Sequence, residues 1–207
     1  MTTILICVAA SIFAAAVASA APRGVLTKAE YQQLLAAEQR VKALSSKDAE
    51  GLKKADAICA RIQKVSQLVS AVRSDCLDLV AFGSEAVKAE NAATHCALDP
   101  PSEQAILRCL LPTFRTYYAD ARVFYLAEQQ VAKIAAARGF SSRCVAVIGD
   151  MPKTITAEAR LVTDLKEMVN ALRTGNVNEL QTVSNRIDKD SNAINPRSSS
   201  LSLCPHQ

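Results

Sequence analysis

Apolar side chains recur at the period of an amphipathic α-helix along most of this chain. The longest such pattern runs from Asp48 to Ala92, and it predicts one long helix that is either continuous or kinked near Ser74-Asp75 or Gly83. A second long helix is predicted from Thr113 to Arg138, because Gly139 follows it in the position that favours a helix C-terminus. These two patterns predict the centre of the fold.

Capping residues predict where further helices begin. Thr27 and Glu30 form the sequence pattern of a capping box, which predicts a helix that starts there. Ser102 predicts the start of a short helix that Pro112 is expected to end, because proline lacks a backbone donor. The prolines of Asp99-Pro100-Pro101 therefore predict a corner between the two long helices.

A helical hairpin is predicted closer to the C-terminus. Two shorter amphipathic patterns run from about Ile155 to Arg173 and from Val177 to Ala193. Gly175 is expected to end the first helix and Asn176 to cap the second. The segment that carries Cys144 precedes them and is expected to be a loop.

Together these patterns predict an all-α fold, an antiparallel bundle of about four to six long amphipathic helices that disulfides cross-link. No β-branched alternating run bounded by turns competes with this prediction. Residues 21–194 are expected to form a single helical-bundle domain, since a chain of this length can bury a full core. Residues 195–207 are expected to form a Ser-rich tail that Cys204 ties to the bundle.

The first twenty residues have the features of a signal peptide. An uncharged apolar run from Ile4 to Val17 precedes Ala18-Ser19-Ala20, whose small side chains suit a signal peptidase. Cleavage after Ala20 would give an exported, extracytoplasmic chain with no membrane span. An uncleaved anchor is the alternative, although the apolar run barely reaches the ~20 residues that cross a bilayer.

The cysteine count agrees with export. Without Cys7, which lies in the predicted signal peptide, the number of cysteines is six, an even set that favours disulfides in an oxidising compartment. The six residues are Cys59, Cys76, Cys96, Cys109, Cys144 and Cys204.

The predicted helix pairing favours one particular bond, between Cys59 and Cys144. In antiparallel long helices these two residues would lie at similar distances from the corner at Pro100-Pro101. A bond between Cys59 and Cys76 is not expected, because an unbroken helix would separate them by ~25 Å. The remaining bonds would then be Cys96–Cys109 and Cys76–Cys204.

The sequence lacks the usual spacings of metal and haem sites. It contains neither Cys-x-x-Cys-His nor Cys-x-x-Cys. A zinc site built from His95-Cys96 and Cys204-Pro205-His206 is the one alternative, but adjacent ligands suit a tetrahedral ion poorly. We therefore expect no metal and no cofactor.

Catalytic motifs are missing as well. The chain has no Gly-x-Ser-x-Gly elbow, no Gly-rich phosphate loop and no Glu-x-x-His pair for a di-iron bundle. Its two histidines both lie beside cysteines, which leaves no obvious general base. We expect binding rather than catalysis, with an enzyme that uses an unrecognised carboxylate site as an alternative.

Two features of the second long helix indicate a binding surface. Tyr118 and Tyr125 lie seven residues apart, beside a core stripe of other aromatic residues, and Arg115 and Arg122 share the same spacing. Asp120 and Glu128 interrupt this basic region in the sequence, and core packing of both tyrosines is the alternative. The net charge of +4 is too small to favour nucleic acid.

The sequence therefore predicts a protein-interaction or structural module of the cell envelope or extracellular space, whose partner is another protein or an envelope component. The alternative binding function is a carrier that holds a small apolar ligand between its helices. An internal apolar cavity of at least ~300 Å³ would favour the carrier, and an exposed apolar or aromatic strip would favour the interaction module.

Overall fold

A computed structural model describes residues 23–44, 49–97, 102–148, 152–193 and 201–207. The predicted signal peptide, the Pro100-Pro101 corner and residues 195–200 of the predicted tail lie outside the described residues. The described chain contains seven α-helices and a short 3-10 helix, Leu201–Leu203. The α-helices are α1 (Lys28–Leu44), α2 (Ala49–Arg61), α3 (Gln67–Ala97), α4 (Glu103–Ala137), α5 (Ser142–Ile148), α6 (Pro152–Thr174) and α7 (Val177–Ala193).

These helices pack on one another, and the only β-type pairing among the described residues is an isolated bridge between Leu26 and His206. The predicted all-α bundle is confirmed. It has seven described helices rather than the four to six expected. The first long pattern forms two helices and α5 adds another, while the two helices predicted on either side of Pro112 are one.

The capping predictions are confirmed at the helix ends. At α1, the Thr27 amide donates to Glu30 Oε2 over 3.0 Å, and the Glu30 amide donates back to Thr27 Oγ1 over 3.3 Å. At α4, the Ala105 amide donates to Ser102 Oγ over 3.2 Å. Gly139 follows the end of α4 with a φ of +77°, a conformation in which glycine has no steric penalty.

The predicted helix from Asp48 to Ala92 is wrong, because the described part of it is two helices. α2 ends at Arg61 and α3 begins at Gln67. Ser66 explains the new start: its hydroxyl accepts the Val69 amide over 3.2 Å, and its carbonyl accepts the Ser70 amide over 2.9 Å. The chain turns back at this point, so that α3 packs on α2.

This turn overturns the predicted disulfide pairing. Cys59 bonds to Cys76, with Cα atoms 5.5 Å apart, and the predicted Cys59–Cys144 bond is wrong. The unbroken helix that was expected to hold Cys59 and Cys76 apart does not exist. Cys144 bonds instead to Cys204, which also replaces the predicted Cys76–Cys204 bond. The expected Cys96–Cys109 bond is confirmed.

Two further helix boundaries differ from the prediction. Pro112 lies inside α4 rather than at the end of a short helix. Burial of α4 side chains on both sides of it, including Leu107 and Tyr117, outweighs the hydrogen bond that proline cannot donate. Cys144 lies in α5 rather than in a loop.

The buried apolar residues form two clusters along the α3–α4 pair. The first core cluster contains residues of α1, α2, α5, the beginning of α3, the end of α4 and the 3-10 helix. The second core cluster contains residues of α6, α7, the end of α3 and the part of α4 from Leu107 to Phe124. In the second cluster, the ring of Phe82 stacks on those of Tyr117 and Phe124, with centroids 5.4 and 5.5 Å apart. α4 therefore contributes buried residues to both clusters.

Candidate functional site

The candidate site is built on the solvent side of α4. The buried residues of this helix, among them Tyr117, Ala121 and Phe124, recur at helical spacing and pack against α3 and α6. The opposite side therefore faces solvent along the length of the helix. We call this side the exposed face of α4; its main members are Arg108, Arg115, Thr116, Ala119, Arg122, Val123, Leu126 and Lys133.

Positive charge dominates the exposed face. Arg108, Arg115 and Arg122 are exposed and follow one another at intervals of seven residues, and Lys133 lies further along the same side. Asp120 is half-buried and Glu128 is buried, so neither lies on this face. The acidic residues that interrupt the basic region in the sequence do not interrupt it in the structure.

Two apolar side chains lie among these cations. Val123 is 50% exposed and Leu126 is 52% exposed, and they are two of the six large hydrophobic residues that are exposed in the described part of the chain. They are three residues apart and therefore adjacent on the helix surface. The exposed face thus combines a small apolar strip with a row of arginines.

The two predicted tyrosines lie at the edge of this face. Tyr118 is half-buried and packs against the second core cluster. Tyr125 is half-buried too, and its hydroxyl accepts the Gln129 side-chain amide over 2.6 Å. The structure brings them onto one side of α4 with Arg115 and Arg122, but a large part of each ring is covered.

A groove between α4 and α6 borders the face. It has a volume of about 470 Å³ and includes Arg115 from α4 with Lys166 and Arg173 from α6. Glu167 also lines it, but the carboxylate of Glu167 forms an ion pair with Arg186 of α7. Three cations, Arg115, Lys166 and Arg173, therefore line the groove with a single carboxylate, Glu167, which is already paired with Arg186. The α6 side of the exposed face is basic.

The α3 side of the face has several carboxyl groups and an exposed cation, Lys88, which forms an ion pair with Glu85. Burial raises the pKa of Asp120, and the negative charge of Glu85 raises it further, while Lys88 acts in the opposite direction. Burial also raises the pKa of Asp78, with added repulsion from Asp75 and Asp120 and an opposing hydrogen bond from Ser74. These carboxyl groups crowd the α3–α4 boundary, so the electrostatic field across the exposed face is asymmetric.

Buried acidic residues elsewhere join helices. Asp164 and Asp190 lie on α6 and α7, and each bonds to an arginine of the other helix: Arg186 Nε lies 2.8 Å from Asp164 Oδ1, and Arg160 Nε lies 3.1 Å from Asp190 Oδ1. Such pairs fix the packing of α6 on α7.

The zinc site considered from the sequence does not form. Cys96 bonds to Cys109 and Cys204 bonds to Cys144, so neither sulfur is available as a thiolate ligand. Among the residues that the structure describes, no group of three or more His, Cys, Asp or Glu side chains has the arrangement of a metal site.

In the described ranges, no helix is both long enough and apolar enough to cross a membrane. The three disulfides are compatible with an extracellular protein. Comparisons with protein-family models, with curated proteins and with solved structures find no match to this chain.

The sequence pattern identified Arg115 and Arg122 but did not identify Val123 and Leu126. Apolar side chains in an amphipathic helix are expected to face the core, so nothing in the pattern placed these two on the exposed face. The pattern also missed Lys166 and Arg173, because their place beside Arg115 depends on how α6 packs on α4. The seven-residue spacing of Arg108, Arg115 and Arg122 was the available signal, since it predicts a straight row on one side of a helix.

Proposed function

We propose that this chain is an exported protein-interaction module and that the exposed face of α4 is its binding surface. The observation that carries the proposal is the exposure of Val123 and Leu126 next to a row of arginines on α4. Exposed apolar groups bordered by charge are typical of protein-binding surfaces, where arginine is enriched.

The described groove supports binding of a protein more than transport of an apolar ligand. Its lining includes Arg115, Lys166, Glu167 and Arg173, and charged groups of this kind would lose hydration against a hydrocarbon without gaining a partner. A carrier requires an apolar interior space, whereas the groove between α4 and α6 is lined by charged residues and lies beside an apolar strip.

Site-specific photocrosslinking tests the proposal. A photoreactive residue is placed at Leu126, and as a matched control at Gln181, which is exposed on α7. After incubation in native secretions, we expect position 126 to crosslink one protein that position 181 does not. That protein is then identified by mass spectrometry, and its binding is measured with both components purified.

The charge-reversal variant Arg115→Glu/Arg122→Glu provides the second arm. Both side chains are exposed, so the fold should be retained while binding of the purified partner falls at least tenfold. Equal crosslinking at positions 126 and 181, or unchanged binding by the charge-reversed protein, would show that the exposed face of α4 is not the binding surface.

A further inference from the structure

We infer that the partner presents an acidic amphipathic helix that lies along the exposed face of α4. This inference rests on the proposed function and adds the chemistry of the partner. Three properties of the face support it: the spacing of the exposed side chains, the charge on each side of the face and the composition of its centre.

The spacing of the arginines fits a helix better than an extended strand. Seven residues of α-helix rise about 10.5 Å, which separates Arg108 from Arg115 and Arg115 from Arg122. A partner helix with carboxylates at every seventh position places them at the same interval. Side chains on one face of a β-strand recur at about 6.6 and about 13.2 Å, so a strand does not keep this register.

The apolar residues follow the same repeat. Thr116, Ala119, Val123 and Leu126 are separated alternately by three and four residues, which is the spacing of positions a and d in a heptad. Arg115 and Arg122 then occupy position g, which flanks such a strip and contacts charged residues of a second helix. Because Ala119 is small, a partner backbone can approach α4 closely at the middle of the strip.

The charge on the two sides of the strip fixes how the partner must be arranged. On the α6 side lie Arg115, Lys166 and Arg173, while Asp120 lies towards α3, where Glu85 forms an ion pair with Lys88. A partner helix gains the most attraction if its acidic residues face α6, and it gains less if they face α3, because Asp120 and the paired Glu85 oppose the attraction of Lys88 there. The fitting partner is therefore acidic on one flank only.

Two other occupants fit less well. A second copy of this chain would need exposed acidic residues at seven-residue spacing on one helix, and none of the described helices has them. An anionic membrane surface favours helices with large apolar groups that enter the lipid, whereas the centre of this face has only Val123 and Leu126.

Peptide binding tests the inference. The probe is a 21-residue helical peptide, the length of about three heptads, with Leu at positions a and d, Glu on one flank and a fluorescent label. The matched peptide has Lys in place of each Glu. We expect the acidic peptide to bind the mature protein at least tenfold more tightly than the basic one, with an affinity that falls as salt rises.

Variants of the protein separate a specific face from general charge. Arg115→Glu/Arg122→Glu should weaken binding of the acidic peptide at least tenfold and should bind the basic peptide better than wild type does. The control Arg61→Glu/Arg143→Glu makes the same change in net charge on exposed arginines of α2 and α5, and it should change binding less than twofold. Leu126→Ala should weaken binding several-fold, because it removes the larger apolar contact.

Three outcomes would overturn the inference: equal binding of the two peptides, an equal effect of the control variant, or binding to vesicles that contain phosphatidylserine without binding to the acidic peptide. The last outcome would assign the face to a membrane. If the peptide fails while Leu126 still crosslinks a protein partner, the proposed function stands and only the helical, acidic character of the partner is rejected.

Discussion

Glu30 is a buried carboxylate, and its charged partner, Arg138, lies far away in the sequence. Arg138 donates to both oxygens of Glu30, through Nη1 over 2.5 Å and Nη2 over 3.2 Å. Burial alone would raise the pKa of Glu30, but hydrogen bonds from Arg138, Ser66 and Thr27 and the charge of Arg138 outweigh it and hold the pKa below its ordinary value of 4.5. The pair joins the start of α1 to the end of α4.

We expect Glu30→Gln to lower the free energy of unfolding at pH 7 by about 2 kcal/mol, because it removes one member of a largely buried ion pair. The contribution of a carboxylate with a lowered folded-state pKa is fully present above its unfolded pKa and is lost as the pH falls through the folded value. The difference between wild type and Glu30→Gln should therefore shrink as the pH falls below about 4.5.

Urea denaturation between pH 7 and pH 3 measures this difference. Glu50→Gln is the matched control, because Glu50 pairs with Lys54 on the surface, where both side chains are more than half exposed. It should change stability by less than ~0.5 kcal/mol at any pH. A Glu30 effect that stays constant with pH would show that the carboxylate is not the stabilising species.

Two glycines offer a second test at the scale of single residues. Gly24 and Gly139 both have positive φ, near +70° and +77°. A Cβ on Gly24 would lie 2.6 Å from the carbonyl oxygen of Gly139, whereas a Cβ on Gly139 would meet nothing closer than 3.6 Å.

Gly139→Ala should therefore cost about 1 kcal/mol of stability, for the left-handed backbone alone. Gly24→Ala adds a clash with backbone and should cost about 1–3 kcal/mol more. The clash also displaces the hydrogen bond from the Gly24 amide to the Arg138 carbonyl. Thermal unfolding of the two variants compares them, and equal losses would contradict this packing.

At the scale of elements, the α6–α7 hairpin depends on one cap. The Glu179 amide donates to Asn176 Oδ1 over 3.2 Å, and the Asn176 side-chain amide donates to Glu179 Oε2 over 2.9 Å. Asn176→Ala should destabilise the protein by about 1 kcal/mol, because the first turn of α7 loses its acceptor. Asn178→Ala, two residues further on, removes no cap and should be close to neutral in the same denaturation experiment. Equal effects would mean that the cap contributes nothing.

Caps of this kind explain which elements were predictable. Thr27, Ser102, Gly139 and Asn176 act on backbone groups within a few residues, so their patterns can be recognised without tertiary information. The break between α2 and α3 contains neither proline nor glycine, and Ser66 was its only local signal. A single serine did not outweigh a continuous apolar stripe.

Tertiary packing decided the other boundaries. Pro112 carries a local stop signal, but the half-buried residues around it pack against the second core cluster, and the helix continues. The disulfides depended on these boundaries: once α2 and α3 are separate helices, Cys59 and Cys76 come together. The arginine row was predictable because it needs only one helix, whereas the groove with Lys166 and Arg173 needs two helices in contact.

At the scale of the whole molecule, the described ends of the chain meet at the first core cluster. The Leu26 amide donates to the Pro205 carbonyl over 2.8 Å, and the Gln207 amide donates to the Leu26 carbonyl over 3.1 Å. The ring of His206 stacks on Tyr31 with centroids 4.0 Å apart. The Cys144–Cys204 bond attaches this C-terminal segment to α5. Both described ends therefore contribute to one half of the molecule.

Removal of each of two disulfides should therefore raise hydrogen exchange in a different core cluster. Replacing Cys144 and Cys204 with Ala opens a loop of 60 residues, which costs about 4 kcal/mol by the chain-entropy estimate. Hydrogen exchange should then accelerate at the amides of Leu26 and Gln207 and in α1 and α5, while α6 and α7 keep their protection. The contacts of α6 and α7 lie in the second core cluster, which includes no residue of the terminal segments.

Replacing Cys96 and Cys109 with Ala is the matched experiment at the other end of the α3–α4 pair. That bond spans 13 residues and should cost about 3 kcal/mol by the same estimate. Its loss should raise exchange where α3 ends and α4 begins, beside the second core cluster, and leave the Leu26 and Gln207 amides protected. If each variant instead raises exchange equally across all described helices, the clusters unfold as one cooperative unit, and α3 and α4 transmit the loss of either bond along their full length.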